Sequence, residues 1–384
     1  MSLPIVVYGD AYLDYDFGPD HPLTPRRFEP SVGLMRASGA LDFIAPRIAT
    51  DDELLRLHTR EYIDTVKRFS DDPWNQPFGA GIGAGGDCPP FGDMHVASAT
   101  IAGGSIDAVD RILRGESDHA FNTGGGLHHA MAGRASGFCI YNDVALGVAR
   151  ARDAGHRVLY VDLDTHHGDG TQALFWDDPQ VLTFSIHETG MTLFPGTGFT
   201  DERGGPEALG SSLNVPLQPY SGDASWTAAV DRVVPAIADA FRPTFLVSQN
   251  GCDTHAYDPL AHLRLTTNAY RAATKVLDRV AHDYCEGRWL ATGGGGYDAY
   301  RVVPRSWSLV WLAQAHLDVP SEIDRDWRTA WENEAERYAQ SPLPESYMDP
   351  HDLVAVESKD LAARNAQTVN EALVEGLELL RRLS

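Results

Sequence analysis

Val158-Leu159-Tyr160-Val161-Asp162-Leu163-Asp164-Thr165-His166-His167-Gly168-Asp169-Gly170 joins an apolar, β-branched run to a cluster of acids and imidazoles. The run reads as a buried strand over 158–164, and the Gly-Asp-Gly that follows ends it. Residues two apart along an extended chain point to one side, so Asp162, Asp164 and His166 share a face where the strand exits. Two carboxylates and an imidazole converging there suit a divalent cation with zinc-like ligand preferences. A lone Asp would read as a cap for the next helix. Three acids and two histidines within eight residues are costly to cluster without a cation.

Outward from this stretch, short apolar runs at 4–8, 120–123, 181–186, 245–248 and 289–292 alternate with helical patterns at 96–113, 143–154, 224–241, 267–285 and 301–315. The alternation predicts an α/β fold, a single open, mostly parallel sheet flanked by helices. Ligands in such folds bind beyond the carboxyl ends of the strands, where the chemistry-bearing residues fall. Residues 1–320 make up the main domain. Residues 321–384 form an acidic C-terminal extension that ends in an amphipathic helix, with Val369, Leu373, Leu377 and Leu380 at helical spacing. The Gly- and Pro-rich stretch 71–90 reads as a long loop of the kind that carries function.

Composition narrows the function classes. With 43% hydrophobic and 22% charged residues the chain is globular, and its net charge of −23 disfavours nucleic acid and anionic membranes as partners. No apolar run approaches the roughly 20 residues that cross a bilayer. The first residues lack a basic, apolar leader pattern, so the expected compartment is the cytoplasm. Cys88, Cys139, Cys252 and Cys285 are widely spaced, which argues against a zinc knuckle or a disulfide framework.

Three more clusters follow apolar runs. Asn122-Thr123-Gly124-Gly125-Gly126-Leu127-His128-His129 presents two imidazoles after a tight glycine turn, and nearby carboxylates suit them to acid–base work. It lacks the Gly-Lys-Ser/Thr of a phosphate loop. Ser248-Gln249-Asn250-Gly251-Cys252-Asp253-Thr254-His255 offers Asp253 as a third ligand, leaving positions open for water and substrate. His255 fits a ligand and a rim position equally by spacing. In Thr292-Gly293-Gly294-Gly295-Gly296-Tyr297, the glycines make a backbone-approach loop. Tyr297 fits an oxyanion donor and a packing residue equally.

Together and in this order, these clusters resemble the zinc-dependent histone deacetylase superfamily, most of all its bacterial acetoin-utilisation branch. The motifs are HPLTPRR (21–27), GDCP (86–89), GGGLHHA (124–130), SGFCIYND (136–143), VDLDTHHGDGT (161–171), FPGTG (194–198), DPLAHL (258–263) and GGGGY (293–297). The resemblance implies an arginase-like fold. It makes Asp164, His166 and Asp253 the metal ligands, His129 the general base and His128 its electrostatic partner. Asp162 and Asp169 would orient those histidines, with His167 behind them, and Tyr297 would polarise the acetyl carbonyl. Gly137, Phe138 and Phe194 would line an acyl-lysine tunnel with Leu260 at its rim. Asp87 would grip the substrate backbone, and Arg27 would lie near an internal acetate exit. Implied cofactors are Zn2+, with Fe2+ accepted by the same ligands, and a structural K+ near Asp162 and Ser185. The implied substrate is an acetylated protein. The rivals are an acetylpolyamine amidohydrolase, an arginase-type binuclear manganese hydrolase and a non-catalytic acyl-lysine reader.

Overall fold

A computed structural model describes residues 3–83 and 85–383; Ala84, within the glycine-rich loop, and residues 1, 2 and 384 lie outside the described residues. Eight strands are present: β1 (Ile5–Val7), β2 (Phe43–Ile44), β3 (His119–Asn122), β4 (Val158–Asp162), β5 (Val181–Glu188), β6 (Ser212–Leu217), β7 (Phe245–Gln249) and β8 (Trp289–Thr292). They form one sheet in the order β2-β1-β3-β8-β7-β4-β5-β6, and all pairings are parallel. The expected fold class is borne out. β4 is buried at every residue, as a parallel strand covered on both faces requires.

The helices are α1 (Phe28–Ala37), α2 (Asp51–Leu54), α3 (Arg60–Asp71), α4 (Met94–Leu113), α5 (Asp143–Asp153), α6 (Asp169–Leu174), α7 (Asp223–Phe241), α8 (Thr267–Cys285), α9 (Val303–Gln314), α10 (Arg325–Arg337) and α11 (Lys359–Leu383). α4 packs on α5, and α8 packs on both α7 and α9. No helix among the described residues is long and apolar enough to cross a membrane.

Two strands add to the six that periodicity gives. β2 has only two residues, too few for a pattern. In β6, Asn214 and Pro216 interrupt the apolar run. Proline is tolerated there because β6 is an edge strand, pairing only with β5. α11 covers it: Gly376 lies against Leu213, where a Cβ would come within 2.5 Å of Leu213 Cδ1.

Residues beyond 320 add to the core and bond to groups near the carboxyl end of the sheet. Trp327, Tyr347, Leu373 and Leu380 are buried, and the Trp327 indole donates to Pro30 O at 2.8 Å. Asp349 accepts from Arg305 Nη1 (2.7 Å), Thr267 N (2.9 Å) and His255 Nε2 (2.9 Å). Burial opposes ionisation of this carboxyl, but His255 and Arg305 outweigh it and hold it well below the usual carboxylate range. Asp349→Ala would leave the fully buried Arg305 guanidinium without its counter-charge. Such losses cost about 3–5 kcal/mol. Urea unfolding should show that drop, and an unchanged midpoint would contradict it.

Candidate active site

The loops that leave four neighbouring strands, β3, β8, β7 and β4, meet at the carboxyl end of the sheet. β4 delivers Asp162, Asp164 and His166; β7 delivers Asp253; β3 delivers His128 and His129; β8 delivers Tyr297. A narrow cleft opens there, and its lining includes His128, His129, Phe138, Asp164, His166 and Tyr297.

Asp164, His166 and Asp253 form the first group, with ligand atoms all within 4.8 Å of one another. His166 Nδ1 lies 3.0 Å from Asp164 Oδ1 and 3.1 Å from Asp253 Oδ2. Burial alone would disfavour a cationic His166, but the two carboxylates push its pKa up to about 10. Asp253, buried beside Asp164, is raised to about 6. This field favours positive charge at the point all three share, and the donor set fits a divalent ion with open positions for water.

The second group is the histidine pair. His128 Nδ1 lies 2.8 Å from Asp162 Oδ2, and His129 Nδ1 lies 2.7 Å from Asp169 Oδ1. An ionised carboxylate only accepts, so both Nδ1 atoms carry hydrogen. The two Nε2 atoms face each other at 3.0 Å, which leaves room for one proton between them. Burial lowers the pKa of both rings. For His128, Asp162 and Asp164 reverse this and bring it to about 9. For His129, the neighbouring His128 adds to burial and brings it to about 4. One ring is cationic and the other neutral.

Tyr297 closes the cleft. Burial first, then Asp253 and Asp164, raise its pKa well above that of a free phenol, so its hydroxyl stays protonated. The preceding glycines are packed rather than free to swing. Gly295 N donates to Asp164 Oδ2 at 2.8 Å, and a Cβ at Gly295 would stand 2.0 Å from Asp253 Oδ2. Beneath the run, buried Arg27 donates from Nη1 to Gly294 O at 2.6 Å.

The expected tunnel residues divide. Phe138 and Gly137 line the cleft, and the Phe194 ring sits edge-on to His129 with centroids 5.0 Å apart. Asp87 Oδ2 accepts from Gly137 N at 2.7 Å, which steadies the left-handed Gly137–Phe138 turn. Leu260 is not among the cleft-lining residues; its N–H and that of Tyr297 share the Asp258 carboxylate at 3.0 and 2.9 Å. His167 is also outside the lining, held by Thr197 Oγ1 (2.8 Å) and Gln172 Oε1 (3.1 Å). Ser185 Oγ lies 2.8 Å from His187 Nδ1. Both His255 ring nitrogens are engaged, by Tyr257 N and Asp349.

Sequence reasoning missed three supports. Asp143 accepts from Gly126 N and Leu127 N and so shapes the histidine loop. Gln249 Nε2 donates to Asp164 Oδ2 at 2.7 Å. Asp258 anchors Tyr297. All three stand in quoted stretches, but nothing in the sequence says which groups they meet.

A family model for the histone deacetylase domain matches residues 21–314. The chain belongs to the histone deacetylase family. This family's acetoin utilization protein AcuC of Bacillus subtilis (strain 168) is 41% identical to it over 376 residues, 96% of each chain. AcuC of Staphylococcus xylosus is 38% identical over 349 residues, 89% of this chain and 90% of that one. The crystal structure of a histone deacetylase homolog from Aquifex aeolicus matches with a TM-score of 0.83 at 28% identity, covering 97% of this chain and 100% of the other. A histone deacetylase homolog complexed with SAHA matches equally well. The chain is thus a hydrolase of the deacetylase type.

A deacetylase built this way should not tolerate Gly295→Ala, whose methyl would force Asp164 and Asp253 apart. Turnover should fall by about 100-fold or more, since small displacements of reacting groups carry such penalties. Gly133→Ala is the control, because its Cβ meets nothing nearer than Thr59 Oγ1 at 3.9 Å. Steady-state rates of both variants on an acetylated peptide check this, and equal rates would contradict it.

Proposed function

We propose that this protein removes the acetyl group from acetyl-lysine side chains of proteins by metal-dependent hydrolysis. What carries the reading is the convergence, at and just beneath one cleft, of a two-carboxylate, one-imidazole ligand set, a carboxylate-anchored histidine pair and a protonated phenol. Asp164, His166 and Asp253 would hold the ion, and their chemistry suits Zn2+ and Fe2+ alike. Bound there, the ion supplies Lewis-acid polarisation of the carbonyl and acidifies water.

The remaining work falls to the chain's own groups. His129, neutral, takes the proton of the attacking water at Nε2, exchanging its contact with His128 for that water. Asp169 at Nδ1 stabilises the imidazolium that results. The Tyr297 hydroxyl donates to the oxyanion as the carbonyl becomes tetrahedral. His129 or cationic His128 then protonates the leaving amine as the C–N bond breaks, giving acetate and free lysine. Asp162 holds His128 for this, and His167 would stand behind the pair.

Phe138, Phe194 and Gly137 would enclose the aliphatic lysine chain, with Leu260 at the rim and Asp87 meeting the substrate backbone. Asp162 and the backbone near Ser185 would hold K+. Four free, buried cysteines suit the cytoplasm.

His129→Ala should lower kcat by about 10² to 10⁴ and leave metal content intact. Tyr297→Phe keeps the ring and should cost about 10² to 10³ in kcat, with ground-state binding little changed. A strong chelator should abolish turnover, and added Zn2+ should restore it. Rates on acetyl-lysine peptides and on acetylated polyamines, measured side by side, test the substrate class. Faster turnover of the polyamines would replace the protein substrate, while near-normal kcat in Tyr297→Phe would remove that residue from the mechanism.

A further inference from the structure

At the opposite end of the sheet a second group of ligand-type side chains converges. His119 opens β3, Asp278 and His282 lie one turn apart on α8, and His316 follows the end of α9. Each offers a ligand atom within 4.8 Å of all the others. His282 Nε2 and His316 Nε2 face each other at 3.1 Å. Asp278 Oδ1 lies 3.0 Å from His316 Nε2 and 3.5 Å from His282 Nε2. The three imidazole centroids form a nearly regular triangle, with sides of 5.2, 5.5 and 5.0 Å.

The side chains of Asp278, His282 and His316 are about a quarter to a third exposed, and by themselves they would pass for a surface hydrogen-bonded cluster. His119 does not fit that reading. It is 3% exposed, and its ring nitrogens make no well-formed hydrogen bond, with only a weak contact to the Gly287 backbone. Buried polar atoms are rarely left unpaired, and an orphan facing two imidazoles and a carboxylate calls for something between them. Ligands about 2.0–2.1 Å from a tetrahedral ion stand about 3.3–3.4 Å apart, and the separations of 3.0, 3.1 and 3.5 Å among Asp278, His282 and His316 bracket that value.

We propose that His119, Asp278, His282 and His316 form a second divalent-metal site that takes Zn2+ or a similar borderline transition ion. Three imidazoles and one carboxylate complete a four-coordinate set from the protein alone, so the site is closed and structural. The ion clamps the first residue of β3 to the last turn of α8 and to the chain just past α9. It needs no part of the cleft where acetyl-lysine is cleaved.

The test is metal counting on the full-length protein, stripped with chelator and then titrated with Zn2+, by native mass spectrometry. Wild type should take two ions per chain. His282→Ala/His316→Ala, with both changes at partly exposed positions, should take one and keep its turnover on an acetyl-lysine peptide. Asp253→Ala should also take one, and its thermal midpoint should rise with Zn2+. Adding His282→Ala and His316→Ala to Asp253→Ala should remove both the remaining ion and that rise. A wild type that stops at one ion lost in Asp253→Ala would overturn the site, as would a double-histidine variant that still takes two. One ion kept in Asp253→Ala but lost in the double-histidine variant would uphold this site and refute the catalytic one instead.

Discussion

Two carboxylates buried side by side at the ends of β4 and β7 govern the architecture of the catalytic end. Asp164 and Asp253 are almost wholly withdrawn from water, and such charge persists only where donors and a cation answer it. Asp164 receives Gln249 Nε2, Gly295 N and His166 N; Asp253 receives Thr165 N. Each donor fixes a piece of backbone. Gly251 and Gly295 must lack side chains, because a Cβ on either would overlap a carboxylate oxygen. The glycine run is therefore pinned from above by Asp164 and from below by Arg27. Tyr297 leaves that run at an angle it cannot freely change.

The same acidic floor separates the two histidines. Each sits on its own carboxylate, yet His128 also feels Asp164, whereas His129 feels chiefly the charge of His128. Neighbouring groups whose environments push their proton affinities apart acquire different acid–base duties. The adjacent imidazoles are not redundant for that reason. One holds a charge at neutral pH, and the other is free to accept a proton.

Much of this was legible in the chain because it is local. Strand β4 and the ligands that leave it follow a period of two, and α8 was bounded at both ends from its pattern. What stayed hidden depends on contacts that no period encodes. Asp349 lies 94 residues from His255, and Gln249 lies 85 from Asp164. Asp258 stands in a quoted motif, but its partnership with the Tyr297 backbone exists only once β7 and β8 pair. β6 escaped because an edge strand can hold a proline that an interior strand would exclude. His119, Asp278, His282 and His316 have no motif spacing beyond one helical turn, and only folding brings them together.

Parallel strands make the two ends of the sheet electrically unlike, and this bears on where each ligand set is found. Crossover helices return with their carbonyl ends at the amino edge of the sheet, where partial negative charge favours cations. His282 lies in the last turn of α8, and His316 follows the cap of α9. Neutral imidazoles with a single carboxylate would suffice for a cation there, because the helix ends already attract positive charge. At the carboxyl edge the helices present their N–H ends, as α6 does beginning at Asp169. That environment favours a developing oxyanion but opposes a cation. A cation at that edge needs negative charge from its ligands, which two buried aspartates would provide. The carboxylate-rich set thus lies where the helix ends offer a cation nothing, and the histidine-rich set where they already attract one.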